Sequence, residues 1–215
     1  MVDDAAKRIA GYAVAATVTV AVAAIVFVEP YLLNMELQSK IGVWLITLLG
    51  SAATYRTISA SLWSLFNRSL CVRRIALGRM FLEGTWIGHY VRSGQHIVTV
   101  EFYDQKDGEL RITGAEINST SATLSHWQSF AASIDYRGET VTYAYACDIF
   151  GRSGTHDGIA RFTLVRKGKK SAFELDGYSA DLTDGVKDAN YEYKISDRQI
   201  DRSDALLRAK EIYKF

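Results

Sequence analysis

The chain has 215 residues, 25 Lys and Arg against 24 Asp and Glu, and a formal net charge of +1, but its composition changes abruptly near residue 80. Before Met80 it is rich in Ala, Val, Ile and Leu; from Met80 onward Gly, Tyr, Asp and Thr recur, with 17 basic against 20 acidic residues, net −3. An acidic domain of this kind is a poor general binder of DNA, which requires many cations to displace condensed counterions, and the two distant cysteines, Cys71 and Cys147, fit no disulfide framework or Cys-based metal spacing.

The first element is Ile9 to Val28, twenty residues without a charge, about 30 Å long as a helix and so matched to the hydrocarbon core of a bilayer. A polar connection from Glu29 to Lys40 follows, with Pro30 placed to stop the helix. The second apolar segment, Ile41 to Phe66, carries one charge, Arg56, whose long side chain reaches a headgroup or lines a helix interface. Two antiparallel transmembrane helices, at about 9–28 and 41–66, are predicted within a membrane domain of residues 1–79. A cleaved signal peptide would have an apolar run of about 7–15 residues and no second span behind it.

Orientation follows from the arginines. Arg56, Arg68, Arg73, Arg74 and Arg79 are unopposed by any acid between residues 56 and 79, whereas the connecting loop is net −1. The positive-inside rule then places both termini, and everything after residue 79, in the cytoplasm. On the first helix Ala13, Thr17 and Ala21 share one face and Ala16, Val20 and Ala24 another, small-residue faces on which a second helix can pack closely, although abundant alanine alone produces the same pattern.

Residues 80–215, about 135 residues and enough for an independent core, read as all-β. Runs of Val, Thr, Ile, Tyr and Phe lie near 82–91, 96–104, 109–118, 124–136, 139–149, 155–166, 171–182 and 190–196. Hairpin-length connectors with glycine separate them: Arg92-Ser93-Gly94, Lys106-Asp107-Gly108, Arg137-Gly138, the stretch 151–154 and Lys167-Gly168-Lys169. Eight antiparallel strands in up-and-down order close into a barrel that either fills with side chains or holds one small ligand. Alternation assigns Val98, Val100 and Phe102 to the lumen of one strand and Val141, Tyr143 and Tyr145 to that of another. The tail, with Ala205, Leu206, Ala209 and Ile212 on one side, is predicted as a helix packed on the barrel.

No catalytic constellation or cofactor motif is visible. The four histidines, His89, His96, His126 and His156, show no metal spacing, the carboxylates are read as mostly lying in turns or facing out, and His126 with Glu116 or Asp176 is the only acid-base pair that can be assembled. Aromatic and hydroxyl chemistry is enriched instead: Trp86, Tyr90, Tyr136, Tyr143, Tyr145, Tyr178, Tyr191 and Tyr193 fall mostly on expected inward faces. Such rings can stack on a nucleobase and donate to phosphate; they serve equally well as a barrel core with hydroxyls at the rim. Arg111 and Arg161, borne on strands, would pair with phosphate if they point inward, and Arg152, Ser153 and Gly154 could form a phosphate-cradling turn. The candidate ligand-binding set is therefore Trp86, Tyr90, Arg111, Tyr143, Tyr145 and Arg161.

The opening strand, Phe81-Leu82-Glu83-Gly84-Thr85-Trp86-Ile87-Gly88-His89-Tyr90, contains the Gly-x-Trp pattern found at the start of lipocalin-like barrels. With two spans and a basic junction before it, the chain resembles the two-transmembrane, β-strand-rich effector family of bacterial cyclic-oligonucleotide anti-phage signalling (CBASS). The resemblance implies a non-enzymatic inner-membrane protein whose cytosolic, lipocalin-like barrel receives a cyclic dinucleotide from a partner nucleotidyltransferase (a CD-NTase). Self-association and disruption of the lipid bilayer by the helices would follow, causing abortive infection. The competing expectation is a membrane-anchored, lipocalin-like carrier of an apolar small molecule.

Overall fold

The structure is a computed structural model that describes residues 2–32, 37–92, 94–151, 154–168, 170–182, 185 and 187–214. The chain divides into two compact units, Val2–Ala76 and Leu77–Phe215.

The first unit holds α1 (Val2–Leu32), α2 (Leu37–Arg68) and nearly all of α3 (Leu70–Leu77). Within α1 and α2, Ile9–Phe27 and Ile41–Arg68 are 19 and 28 residues long and apolar enough to cross a membrane. Thr17, Thr19, Thr47, Ser51 and Thr57 each donate their hydroxyl to the carbonyl four residues back, so these polar groups are satisfied within their own helix. Large apolar side chains, among them Val18, Val26, Phe27, Trp44, Leu48 and Leu49, are exposed. α1 packs on α2, and of its two small-residue faces Ala13, Thr17 and Ala21 are buried or half-buried while Ala16, Val20 and Ala24 are exposed.

One expectation for this unit changes. Pro30 does not stop α1, which continues to Leu32; a proline in the final turn forfeits only its own N–H bond, a smaller penalty than in a helix interior. Residues 33–36 of the expected connection lie outside the described residues. The arginines also differ in role. Arg73 is buried and donates from Nη1 to the carbonyls of Phe66 and Asn67 at 2.9 and 2.7 Å, capping the end of α2, whereas Arg56 is exposed.

The second unit is a closed barrel of eight antiparallel strands in sequence order. They are β1 (Gly84–Arg92), β2 (Gln95–Asp104), β3 (Arg111–Asn118), β4 (Thr123–Asp135), β5 (Thr140–Ile149), β6 (Thr155–Val165), β7 (Glu174–Asp181) and β8 (Lys187–Ser196), and β1 closes the ring on β8. Simple alternation holds on β6, where Gly158, Ala160, Phe162 and Leu164 are buried while Ile159, Arg161 and Thr163 are exposed. On β4 a bulge between Ser129 and Ala131 shifts the phase by one, so Ser125, Trp127 and Ser129 precede it on the inner face and Ala132 and Ile134 follow.

Topology gives the barrel two ends. The β1–β2, β3–β4, β5–β6 and β7–β8 hairpins lie at one, and the other connections at the opposite one. The second end, the base, is filled by Leu82, Trp86, Tyr103, Ile112, Val141, Phe162, Leu164 and Leu175. Each such side chain contributes roughly 1.5–3 kcal/mol on burial. The chain enters through this base after a 3₁₀ turn at Gly78–Met80, held by the fully buried Gln105. Its Oε1 accepts from the backbone N–H of Leu82 and Glu83 at 2.7 and 3.0 Å, and its Nε2 donates to Met80 O at 2.9 Å. Glu139 bridges Arg79 and Arg166 at 2.5 and 2.9 Å beside it.

The inner face of β2 is the reverse of the one expected. Thr99 and Glu101 face the lumen, whereas Val98 and Val100 lie outside with Ile87 and Ile117 beneath α4 (Arg202–Tyr213). α4 buries Ala205, Leu206 and Ala209, while Ile212 is exposed and Tyr213 packs in its stead, donating its hydroxyl to Ile87 O at 3.1 Å. A helix covering the outside of the barrel makes that face as apolar as a lumen, so alternation alone cannot tell them apart.

Candidate ligand-binding site

The hairpin end of the barrel is hollow. A cavity of about 370 Å³ lies among the late residues of β1 and β5 and the early residues of β4 and β8, within the range of about 300–1,000 Å³ common for small-molecule sites. Its aromatic wall consists of Tyr90, Trp127, Tyr143 and Tyr145. Two glycines make that wall possible. Gly158 pairs with Tyr145 across β5 and β6, and a Cβ there would lie 2.2 Å from the tyrosine ring, so the ring lies flat against bare backbone; Trp127 does the same over Gly114 on β3. Tyr145 stands 6.4 Å from Trp127 and 5.9 Å from Tyr143, centroid to centroid.

The remaining surface is polar and acidic. Glu101, Glu116 and Asp188 reach the cavity with Thr99, Ser125, Ser179, Asn190 and Cys147, and no Lys or Arg does so among the described residues. Tyr90 donates to Glu116 Oε1 at 2.5 Å. Tyr143 donates to Glu101 Oε2 at 3.0 Å. Deeper still is the fully buried Glu192, which accepts from Tyr103 at 3.4 Å and from the Asn190 amide at 3.3 Å.

Burial dominates the electrostatics of this floor. It pushes the Glu101 carboxyl up to about 7, against the hydrogen bonds from Glu192, Tyr143 and Tyr103 that favour the charged form. Glu192 is held well above the ordinary carboxylate range, first by burial and then by the negative charge of Glu101. Two carboxyls enclosed together cannot both ionise cheaply, so the pair retains a proton near neutrality. The hydroxyls of Tyr103 and Tyr143 are likewise pushed far up by burial and stay protonated donors, and burial raises the Cys147 thiol.

Of the six residues predicted from sequence, Tyr90, Tyr143 and Tyr145 meet at the cavity. Trp86 lies below it in the base, its indole donating to Leu82 O at 2.8 Å. Arg111 and Arg161 do not reach it: both are exposed on the outer surface, Arg111 paired with Glu109 at 2.8 Å. Of the other tyrosines, Tyr136 and Tyr191 are about half exposed, Tyr193 packs beneath α4, and Tyr178 carries Lys187 over its ring at 3.7 Å. The expected phosphate turn at Arg152 and Ser153, like Ser93 and Lys169 of two hairpins, falls outside the described residues.

Sequence reasoning missed Glu101 and Glu192, which turn inward where outward positions were expected, and considered Glu116 only as a partner of His126. The legible signal was Thr99 and Glu101 inside a run that is apolar on either side, from Ile97 to Tyr103. His126 does not assemble with Glu116 or Asp176; it is exposed and meets Asp148 at 3.3 Å. His89 and His96 contact one another at 3.0 Å and stack, with Tyr213 against His89, outside the barrel. Among the described residues no group of His, Cys, Asp and Glu is placed to hold a metal ion. The chain matches no protein-family model, no curated protein and no solved structure.

Proposed function

We propose that this chain is a membrane-tethered sensor of the CBASS effector type. In this reading α1 and α2 cross the bacterial inner membrane with both termini in the cytoplasm, and the barrel binds a cyclic dinucleotide supplied by a CD-NTase. Occupancy drives self-association, and the helices then disrupt the bilayer. The observation that carries the proposal is the cavity, walled by four flat rings and otherwise mainly by hydrogen-bonding groups, a combination suited to a planar, polar ligand. Its acidity sets the pose: bases enter, where carboxylates accept their N–H groups, and phosphates stay at the mouth.

An apolar cargo fits poorly, because Ala189 is the sole aliphatic residue among the described lining and Glu101, Glu116 and Asp188 would be desolvated against it. A second reading, an enzyme using Glu101 and Glu192 as a proton-sharing pair, is favoured by the raised Glu101 alone. One experiment addresses both: calorimetry of the full chain in detergent micelles with a panel of cyclic dinucleotides, followed by chromatography of the recovered ligand. Binding of intact ligand, with leakage of dye-loaded liposomes carrying the protein, is the expected result. Absence of binding across the panel removes the sensor reading, and linearised ligand favours the enzyme.

A further inference from the structure

Three rings of the cavity wall are inclined to one another. Tyr145 stands 6.4 Å from Trp127 with the planes 51° apart, and 5.9 Å from Tyr143 with the planes 53° apart. All three line one cavity, so the tilts curve the wall around it, and a guest resting there lies within about 6 Å of more than one ring centroid, the reach of a cation–π contact. Trp127 and Tyr145 each rest one face on glycine backbone, at Gly114 and Gly158, which leaves the opposite face to the cavity. That face of an aromatic ring is its negative side. The charged groups around the rings have the same sign: Glu116 and Asp188 line the cavity, and no Lys or Arg does so among the described residues. Asp188, exposed near the start of β8, carries this negative charge out to the hairpin end.

We infer that the cavity also binds a small quaternary ammonium cation, of the choline or tetramethylammonium class, against the Trp127, Tyr145 and Tyr143 rings. Such a cation spreads its charge over methyl groups and has no N–H, so it asks for no free hydrogen-bond acceptor. It needs ring faces and negative charge, and the cavity has both. Glu116 and Glu101 already accept the hydroxyls of Tyr90 and Tyr143; their charge acts through space whether or not a lone pair is left over, and it acts more strongly in an enclosed site than in water. A neutral guest of the same shape gains the contact with the rings but none of this attraction. A cavity of about 370 Å³ has room for a cation of that size. The inference goes beyond the sensor reading and stands without it. Taken with that reading, the cation is the occupant of the resting barrel, and the bases of the cyclic dinucleotide enter by displacing it.

The test is calorimetry of the full chain in non-ionic detergent micelles with choline, with 3,3-dimethylbutan-1-ol, its uncharged carbon isostere, and with the panel of cyclic dinucleotides. Choline is expected to bind at least about tenfold tighter than the isostere. Tyr145→Leu, which keeps an apolar side chain but removes the ring, should weaken choline about fivefold or more. Asp188→Asn, at an exposed position where the fold is insensitive to the change, should weaken it by a smaller factor, and more so at low salt than at high salt. Equal binding of choline and the isostere overturns the inference, as does choline affinity unchanged in Tyr145→Leu. Absence of choline binding overturns it too, and leaves the sensor reading standing if a cyclic dinucleotide binds. Choline bound with no cyclic dinucleotide bound supports the cation site and removes the sensor reading. Where both bind, choline is expected to weaken the cyclic dinucleotide in proportion to its own occupancy; independent binding of the two would place the cation elsewhere and overturn the inference.

Discussion

The indole of Trp127 occupies the space that a side chain at Gly114 would fill: a Cβ on that glycine would lie 2.2 Å from the ring. The two residues face one another across β3 and β4, so glycine at 114 is what lets a tryptophan lie flat in the cavity wall. Gly114→Ala therefore dislodges the ring without adding bulk elsewhere. It should shift the tryptophan emission and weaken the preferred cyclic dinucleotide by roughly 5- to 150-fold, the equivalent of losing one base stack worth about 1–3 kcal/mol. Unchanged affinity with a displaced ring would show that Trp127 is not a stacking surface.

Tyr143 and Tyr145 look alike in sequence but differ in place. Tyr145 is half-buried on the wall, whereas Tyr143 is 3 % exposed, belongs to the base core and hydrogen-bonds Glu101. Tyr145→Ala is expected to reduce ligand affinity while the barrel melts within a few degrees of the parent. Tyr143→Ala is expected to destabilise the barrel by about 3–5 kcal/mol, the usual cost of an aromatic cavity. Thermal unfolding followed by near-ultraviolet circular dichroism separates the two.

The buried pair predicts how stability depends on pH. Glu101 and Glu192 both hold protons more tightly folded than unfolded, with Tyr103, Tyr143 and Asn190 as their hydrogen-bonding neighbours. Between the ordinary carboxylate pKa and about 7 the native state binds more protons than the unfolded one, so stability falls as pH rises through that window. Melting temperature should drop from pH 5 to pH 8. At about 1.4 kcal/mol per pKa unit the loss is on the order of 2–3 kcal/mol. Replacing both carboxyls, Glu101→Gln together with Glu192→Gln, should flatten the profile; an unaltered slope in that double variant would place the titration elsewhere.

Gln105 closes the base by satisfying three buried backbone groups, those of Met80, Leu82 and Glu83. Gln105→Leu keeps the volume and removes all three bonds. At about 1–3 kcal/mol for each polar group left unpaired, it should lower stability by several kcal/mol, whereas Gln105→Glu, which still accepts from the two N–H groups, should cost less. Denaturant unfolding of the two variants measures the difference.

The elements were legible because each depends on local pattern. Eight runs of β-forming residues between glycine turns gave the strands to within about three residues at each end, and two long uncharged segments gave helices of membrane-crossing length. The site was half legible. Tyr90, Tyr143 and Tyr145 were found because their strands alternate in the ordinary way. Trp86, like Arg111 and Arg161, was assigned to a ligand site that it does not reach.

What the sequence by itself determined is the division near residue 80, the strand count and the order of pairing, since short hairpins leave little choice of neighbour. Which face of β2 looks inward was decided only by α4, whose Ala205, Leu206 and Ala209 cover Val98 and Val100 and make the outer wall apolar. Once that face is taken, the alternate residues Thr99 and Glu101 must point into the barrel, where they meet Glu116 from the next strand and Glu192 from the last. Burial then raises the carboxyls, and bare backbone at Gly114 and Gly158 admits the aromatic rings. These are properties of neighbours in space, and no periodicity along the chain encodes them.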